Sequence, residues 1–355
     1  MLDTILEAAV DLKASDVHFT VDLEPTLRVH GKLKKLGNHR LRNEDIISFI
    51  KEALGVSDIE TLETKGEVDL SYAIKNVARF RLNVFKQKGC YAMAFRIIPE
   101  RIRTLDELNL PGDILKTLAR KQRGLVLVTG PTGSGKSTTL AAMIDYINTM
   151  SGRHIITIED PIEYLHKHKQ SIINQREVGS DTKSFANALR GALREDPDVI
   201  LVGEMRDPET ISTALTAAET GHLVLSTLHT VGASKTVDRI IDSFPTAQQK
   251  QVKTQVATVI EGVISQQLIP RADGGGAVAA LEIMTGTPSI RNLIREDKTH
   301  QILSTIQTSA NEGMRTMDGE LLALYRRGVI DASNLLKYAI DTNYVRGAVD
   351  GVAKI

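Results

Sequence analysis

The chain has 355 residues, more than one compact core usually holds, so the sequence predicts two domains. Its 44 basic and 44 acidic side chains cancel, which excludes a global electrostatic attraction to nucleic acid or to an anionic membrane. A single cysteine, Cys90, excludes an internal disulfide framework and a four-cysteine zinc site, and the lack of any run of about 18 apolar residues favours a soluble chain of the cytosol.

The first hundred residues have the pattern of a small α+β domain. Apolar residues at helical spacing predict a helix over residues 2–10, and a short alternating run predicts a strand at residues 17–19. The runs at residues 26–30 and 32–36 predict a hairpin, and Asn43 can cap the helix that follows. Three further alternating runs predict strands at residues 68–74, 79–85 and 90–98.

The segment from Pro99 to Gly112 interrupts this pattern. It contains two prolines and a basic pair, Arg101 and Arg103, and it lacks the alternation of the preceding strands. We therefore interpret residues 99–112 as a linker between a domain at residues 1–98 and a domain at residues 113–355.

From Gly124 onward, short apolar strands alternate with helical patterns. Strands that are apolar on both faces are typical of a parallel sheet covered by helices, so an α/β fold is predicted. Helical spacing from Pro288 onward predicts a helical C-terminal tail. The predicted strands cover residues 125–129, 154–158, 199–202, 223–226 and 278–284, and the predicted helices cover residues 136–150, 184–194, 208–219 and 235–244.

A phosphate-binding loop follows the first of these strands and precedes a helix. Its glycines let successive amide N–H groups point at a β-phosphate, and the helix N-terminus adds a partial positive charge. The Lys136 ammonium would reach the β- and γ-phosphate oxygens of ATP, and the Ser137 hydroxyl would bind Mg²⁺. The predicted nucleotide-binding residues of this segment are Gly130, Pro131, Thr132, Gly133, Ser134, Gly135, Lys136, Ser137 and Thr138.

The apolar strand at residues 199–202 ends two residues before an acidic side chain, Glu204. In most P-loop enzymes an aspartate at this point holds the water shell of Mg²⁺. Glu204 is predicted to share in holding Mg²⁺ and, because its side chain is longer, to reach an attacking water as the general base. Asp207 stands directly before Pro208 and is interpreted as the cap of the next helix.

A second acidic cluster, Glu159, Asp160 and Glu163, follows the strand that precedes this one. Parallel strands end at one edge of their sheet, so the cluster can face the same phosphates. Glu163 is predicted to act with Lys136 and Glu204 in catalysis, by ordering the waters of Mg²⁺ or by polarising the nucleophile. The alternative is a solvated acidic loop.

Two histidines bracket the strand at residues 223–226. The polar side chains at its end, Ser226, Thr227 and His229, predict a sensor that detects the γ-phosphate. Because His222 and His229 are separated by the length of a strand, the pair is not expected to share a metal ion.

Four segments occur in an order that resembles the type II/IV secretion ATPase superfamily, and above all its pilus retraction ATPases. They are the P-loop, IEDPIEY, VILVGEMRD and TGHLVLSTLHT. The runs ASDVH from Ala14 and RFRLNVF from Arg79 are similar to the family's PAS-like domain, and SIRNLIRE from Ser289 is similar to its retraction signature, which normally opens with alanine. The resemblance implies a PAS-like N-terminal domain followed by a RecA-like P-loop domain with a helical C-terminal region.

The same resemblance implies how the protein works and what it contacts. ATP binds between the small domain and the RecA-like domain of a homohexameric ring, which acts on an inner-membrane platform protein of the type IV pilus machine. Membrane association is then through that partner alone, and no direct contact with nucleic acid is expected. Arg291 and Arg295 of the signature are candidates for coupling hydrolysis to motion, the alternative being a solvated helical face. The candidates for arginines that contact the γ-phosphate are Arg81, Arg96, Arg101 and Arg103.

Two other functions stay open at this point. A pilus assembly or type II secretion ATPase shares the four nucleotide motifs, but it usually carries a tetracysteine zinc insertion that one cysteine cannot build. A ring that binds ATP as a structural switch, with little turnover, is a different class of protein. The intact Lys136, Ser137, Glu163 and Glu204 argue against it, because such a ring has no need of a base or of metal ligands.

Overall fold

A computed structural model describes residues 1–29, 31–75, 77–98 and 101–352, with side chains up to residue 348. The chain divides into two compact units. One comprises Met1–Arg101 with Glu163–Leu165, and the other comprises Ile102–Ile162 with His166–Ile355. The domain bounds at residues 98 and 113 stay a prediction, and Pro99, at the start of the predicted linker, lies outside the described residues.

The first unit contains a six-stranded antiparallel sheet in the order β3-β2-β1-β6-β5-β4. Three phenylalanines, Phe19, Phe80 and Phe95, meet edge to face at its core, with ring centroids of neighbouring pairs 5.6 and 6.0 Å apart. The elements are α1 (Leu2–Asp11), β1 (Ala14–Phe19), β2 (Thr26–Val29), β3 (Lys32–Lys35), α2 (Asn43–Ala53), α3 (Val56–Lys65), β4 (Glu67–Ile74), β5 (Ala78–Gln87) and β6 (Cys90–Ile98).

One helix of this unit differs from the sequence-based prediction, and one predicted strand residue cannot be compared. The helix α3 was not predicted, because Leu62 is its only buried residue and its polar composition gives no helical pattern of apolar residues. His30, the last residue of the first predicted hairpin strand, lies outside the described residues.

The second unit contains a seven-stranded sheet in the order β13-β12-β7-β11-β10-β8-β9. All neighbours are parallel except β12 and β13, which form an antiparallel pair. The elements are α4 (Gly112–Ala119), β7 (Gly124–Thr129), α5 (Lys136–Met150), β8 (His154–Glu159), β9 (Ile172–Glu177), α6 (Phe185–Ala192), β10 (Val199–Val202), α7 (Pro208–Glu219), β11 (Leu223–Leu228), α8 (Ala233–Asp242), α9 (Thr246–Val259), β12 (Ile260–Pro270), β13 (Ala277–Thr285), α10 (Pro288–Arg295), α11 (Ile302–Thr308), α12 (Met317–Arg326), α13 (Ala332–Tyr338) and α14 (Thr342–Val352).

Helices cover this sheet on both faces, as the apolar strands predicted. Every residue of β7 is buried: Val126 and Val128 pack in the core formed with α4 and α5, whereas Leu125 and Leu127 pack in the core formed with α6 to α10. The predicted fold class is confirmed: α/β, with a small α+β unit, a largely parallel sheet and a helical C-terminal region. None of the described helices has the length and apolar content that a membrane-spanning segment needs.

Several elements of the second unit were not predicted. The strand β9 lies at the edge of the sheet with alternate residues exposed, and β12 carries polar Ser265 and Gln266 inside an apolar run. Part of the predicted linker also belongs to this unit, since Leu105 and Leu110 are buried in its core with α4. Apart from Glu163–Leu165, the chain from Ile102 onward therefore belongs to the second unit.

Candidate active site

The P-loop lies between the end of β7 and the start of α5, at the edge of the sheet where the parallel strands end. Two of its glycines combine a positive φ with a position where a side chain would clash with the neighbouring strand. Gly130 has a φ of +143°, and a Cβ atom there would lie 2.2 Å from the carbonyl oxygen of Gln266. Gly135 has a φ of +87°, and a Cβ atom there would lie 2.8 Å from Nε2 of Gln266. The loop is thus pressed closely against the neighbouring strand β12.

The side chains of the loop are arranged to receive phosphate. Lys136 is buried, and its Nζ donates hydrogen bonds to the carbonyl oxygens of Gly130 at 2.8 Å and Pro131 at 3.1 Å, so the ammonium is folded back over the loop. The Oγ of Ser134 is buried and has no hydrogen-bond partner within the protein. A charged ammonium, an orphan hydroxyl and the N-terminus of the 15-residue helix α5 together fit the phosphates of a nucleotide.

The remaining loop residues are accessible. Pro131, Thr132 and Gly133 are exposed, and Ser137 and Thr138 are half-buried on the first turn of α5. Within the described residues, no group of three or more His, Cys, Asp and Glu side chains is placed to hold a metal ion by itself. The assignment of Ser137 and Glu204 to Mg²⁺ stays a prediction.

Glu204 lies just beyond β10, and its Oε1 atom contacts two cationic or ionisable groups. Nε2 of His229, just beyond β11, lies 3.1 Å away, and Nε of Arg206 lies 2.6 Å away. Burial of the Glu204 carboxyl tends to raise its pKa, but the hydrogen bond from Arg206 and the attraction of His229 outweigh it, so the pKa is lowered. The carboxylate is therefore ionised and oriented, as a general base must be.

Ser226 and Thr227, which were interpreted as parts of a γ-phosphate sensor, both donate hydrogen bonds to backbone carbonyl groups at the end of β10, and their role in sensing stays a prediction. Ser226 is buried and donates its hydroxyl hydrogen to the carbonyl oxygen of Val202 at 2.7 Å. Thr227 donates to the carbonyl oxygen of Gly203 at 2.6 Å. Both hydroxyls therefore hold the end of β10, the segment that carries Glu204, and only His229 of the three reaches the acidic residue itself.

The three acidic residues at the end of β8 and in the loop after it do not form one cluster. Glu159 accepts hydrogen bonds from Oγ1 of Thr157 at 2.6 Å and from Nε2 of Gln175 at 3.2 Å, so it connects neighbouring strands. Asp160 lies close enough to Arg206 to raise that residue's pKa, although the bonded Glu204 contributes most to the shift. Glu163 is exposed and belongs to the segment that groups with the first unit, and its catalytic role stays a prediction.

The nearby Asp207 is a helix cap, as predicted. Its side chain accepts a hydrogen bond from the amide of Thr210 at 2.8 Å, and Pro208 occupies the first turn of α7. The residue therefore fixes the start of the helix that follows Glu204.

Two of the candidate arginines line a cavity of about 350 Å³ within the first unit. Nε of Arg81 lies 3.6 Å from Oδ1 of Asp69, and Nε of Arg96 lies 3.0 Å from Oδ1 of Asp16. These ion pairs hold both guanidinium groups on the face of the antiparallel sheet. The exposed Arg101 and Arg103 follow it, and a contact of any of the four with a γ-phosphate stays a prediction.

The two arginines of the predicted retraction signature differ from each other. The interpretation of a solvated helical face is wrong for Arg291, whose guanidinium donates to the carbonyl oxygens of Gly286 at 2.8 Å, Ala257 at 3.1 Å and also Thr258. It is also paired with Oε1 of Glu261 at 2.6 Å. Arg291 therefore joins α10 to the end of α9 and the start of β12, while Arg295 is exposed.

One residue that contacts the P-loop at several points, Gln266, was not predicted from the sequence. Gln266 on β12 is 2% exposed, and its amide group bonds to Ser134 and Thr139. The available signal was the polar run Ser265-Gln266-Gln267 inside an otherwise apolar strand, which marks a site where polar groups are needed. That signal gives no indication of the partner, which lies about 130 residues earlier in the chain.

Known proteins resemble this chain over most of its length. The profile described as "Type II/IV secretion system protein" matches residues 1–323. The type IV pilus retraction ATPase PilT of Pseudomonas aeruginosa is 50% identical over 321 residues, which cover 90% of this chain and 93% of the relative. A twitching motility protein of Neisseria gonorrhoeae is 52% identical over 306 residues, covering 86% and 82% respectively. The crystal structure of a pilus retraction motor PilT with bound ADP matches with a TM-score of 0.91 at 49% identity, covering 97% of this chain and 98% of that one.

Proposed function

This chain belongs to the type II/IV secretion system protein family, and on that premise we propose that it is a motor that hydrolyses ATP to retract type IV pili. One observation carries the proposal. A relative named as a pilus retraction ATPase is 50% identical over 90% of this chain, and the chain keeps the complete P-loop with Lys136 and the acidic Glu204. The resemblance predicted from the four motifs and the SIRNLIRE run is confirmed.

The substrate is Mg-ATP, held mainly by the P-loop. The amides of Gly133 to Lys136 and the N-terminus of α5 would receive the β-phosphate, and the Lys136 ammonium would exchange the carbonyl oxygens of Gly130 and Pro131 for β- and γ-phosphate oxygens. The Lys136 ammonium keeps its charge and its N–H donors in this exchange, so little further ordering of the side chain is needed. Ser137 would hold Mg²⁺, with Glu204 ordering its waters, and the bound ion would neutralise charge on the phosphates.

Glu204 supplies the base for hydrolysis. Its carboxylate would accept a hydrogen bond from water, whose oxygen forms a bond to the γ-phosphorus while the bond from that phosphorus to the β–γ bridging oxygen breaks. ADP leaves with the electron pair, and the proton of the water passes through Glu204 to the released phosphate. His229, at 3.1 Å from the same carboxylate, is suited to transmit the change in charge when phosphate departs.

The output proposed for this cycle is mechanical. Six copies would form a ring in the cytoplasm, at the inner-membrane face of the pilus machine, and would act on its platform protein. This assembly and its partner rest on the family alone. In the same ring, Glu163 and the four arginines of the first unit and its border are the candidates for further contacts with the nucleotide.

Retraction in living cells tests the proposal. The chain would be expressed in a piliated bacterium that lacks its own retraction ATPase, and the shortening of fluorescently labelled pili would be recorded. We expect wild-type protein to restore retraction and Glu204→Gln, at equal abundance, to leave pili extended. A wild-type protein that hydrolyses ATP in vitro but never shortens a pilus would contradict the retraction role and favour an assembly or secretion ATPase.

A further inference from the structure

We propose that Gln266 is a positioning residue that holds the P-loop in its phosphate-binding form before nucleotide arrives. The inference rests on the proposed function, because it concerns the loop that binds ATP. Gln266 lies on β12, which runs beside β7. The last residues that pair between these two strands are Ser265 and Thr129. The next residue of each strand is Gln266 on one side and Gly130, the first residue of the loop, on the other.

Both ends of the Gln266 amide are used, and both contact the nucleotide-binding segment. Nε2 donates a hydrogen bond to the carbonyl oxygen of Ser134 at 2.6 Å, and Oε1 accepts one from Oγ1 of Thr139 at 2.7 Å. Ser134 belongs to the loop, and Thr139 belongs to the first turns of α5. A single buried side chain therefore connects the loop to the helix that it precedes.

Glutamine is the residue type that this position needs. It offers a donor and an acceptor at the end of a three-carbon reach, whereas glutamate at neutral pH offers acceptors alone and methionine offers no N–H donor. Because Gln266 and Thr139 are both almost fully buried, neither amide end can exchange its partner for bulk water. The two hydrogen bonds are thus specific constraints on the loop.

The close packing of β12 against the loop adds a second constraint. Cβ atoms at Gly130 and Gly135 would collide with the backbone oxygen and the side-chain nitrogen of Gln266, at 2.2 and 2.8 Å. The close approach of Gln266 therefore leaves no room for a side chain at either of these two positions of the loop. A loop fixed in this way keeps its amides oriented in advance, which lowers the entropy lost when phosphate binds.

The test compares Gln266→Met with Gln267→Met. Both remove an amide of the same size, but Gln267 is the next residue of the strand, so its side chain lies on the opposite face of the sheet. We expect Gln266→Met to weaken binding of Mg-ADP about tenfold and to raise KM for ATP by a similar factor, with kcat within about twofold of wild type. Gln267→Met should bind Mg-ADP as wild type does. Mg-ADP affinity is measured by calorimetry, and the melting temperature is measured without nucleotide.

A role in folding alone predicts a different result. If Gln266→Met melts at a lower temperature but binds Mg-ADP with wild-type affinity, the inference is overturned while the proposed function stands. Thr139→Val is a milder variant that removes one of the two hydrogen bonds, and it should weaken Mg-ADP about threefold. Wild-type affinity in Thr139→Val would also overturn the inference, even where Gln266→Met fails to fold. A wild-type protein that binds Mg-ADP but releases no phosphate from ATP counts against the proposed function and leaves the affinity comparison intact.

Discussion

Nε2 of His229 lies 3.1 Å from Oε1 of Glu204, so the histidine that follows β11 contacts the carboxylate that follows β10. The adjacent parallel strands pair Val202 with Ser226, which brings their two ends together. The imidazole of His229 is therefore placed to orient the carboxylate of Glu204, the proposed general base.

Removing the imidazole should impair turnover more than binding. In His229→Ala, Glu204 loses one of the two groups that orient Oε1, so we expect kcat to fall about tenfold while KM for ATP stays within about twofold. His229→Gln keeps an N–H donor and should recover part of kcat. The measurement is steady-state phosphate release across a range of ATP concentrations. A change in KM alone would mean that His229 contacts substrate instead of orienting the base.

The pH dependence of turnover should depend on Arg206. Burial raises the pKa of Glu204, but the hydrogen bond from Arg206 and the attraction of His229 outweigh it and hold the pKa below its ordinary value of 4.5. A lowered pKa keeps the carboxylate of Glu204, the proposed base, ionised further into acid, so the loss of turnover by protonation of this group begins at a lower pH than for an ordinary glutamate. In Arg206→Met the pKa rises, and the acid limb of the kcat profile should move to higher pH.

The matched control for this shift is Arg327→Met, an exposed arginine after α12. Its acid limb should coincide with that of the wild type. Phosphate release is measured only at pH values where circular dichroism shows each variant to be folded. An Arg206→Met profile that coincides with the wild type would contradict the proposed control of Glu204 by Arg206.

Replacing Arg291 should lower the free energy of unfolding, whereas replacing the exposed Arg295 should leave it almost unchanged. Arg291→Ala leaves three backbone carbonyl groups without their donor and removes the ion pair to Glu261, so the free energy of unfolding should fall by about 2–4 kcal/mol. The exposed Arg295→Ala should stay within about 0.5 kcal/mol of the wild type. Urea denaturation followed by circular dichroism compares the two. Equal stability would show that the Arg291 contacts contribute little.

The elements that the sequence predicted well are those with a continuous local pattern. The helix that follows the P-loop was predicted at residues 136–150, the bounds of α5, because its start is fixed by a motif. The shared edge of the sheet also placed Glu204 and His229 in one region, since parallel strands end together. The contact between these two side chains could not be predicted, because strand order does not determine side-chain direction.

What the sequence could not predict depends on contacts between distant segments. Gln266 is recognisable as unusual only because it is polar within an apolar strand, and its partner Ser134 becomes apparent only once β12 lies beside β7. Arg291 likewise has the pattern of a helical surface residue. Two of the three carbonyl groups that it binds, those of Ala257 and Thr258, belong to the end of α9, which no local pattern around residue 291 records.

Phosphate release by the purified chain is the direct test of whether it is an ATP-driven motor. It would be measured with and without Mg²⁺ for wild type, Lys136→Ala and Glu204→Ala, with the molar mass followed by light scattering. We expect Mg-dependent release by a ring of about six wild-type subunits, loss of nucleotide binding in Lys136→Ala, and binding without turnover in Glu204→Ala. A wild-type protein that binds ATP but releases no phosphate in any oligomeric state would show that the chain is not an ATP-driven motor, and turnover of Glu204→Ala at the wild-type rate would show that Glu204 is not the base.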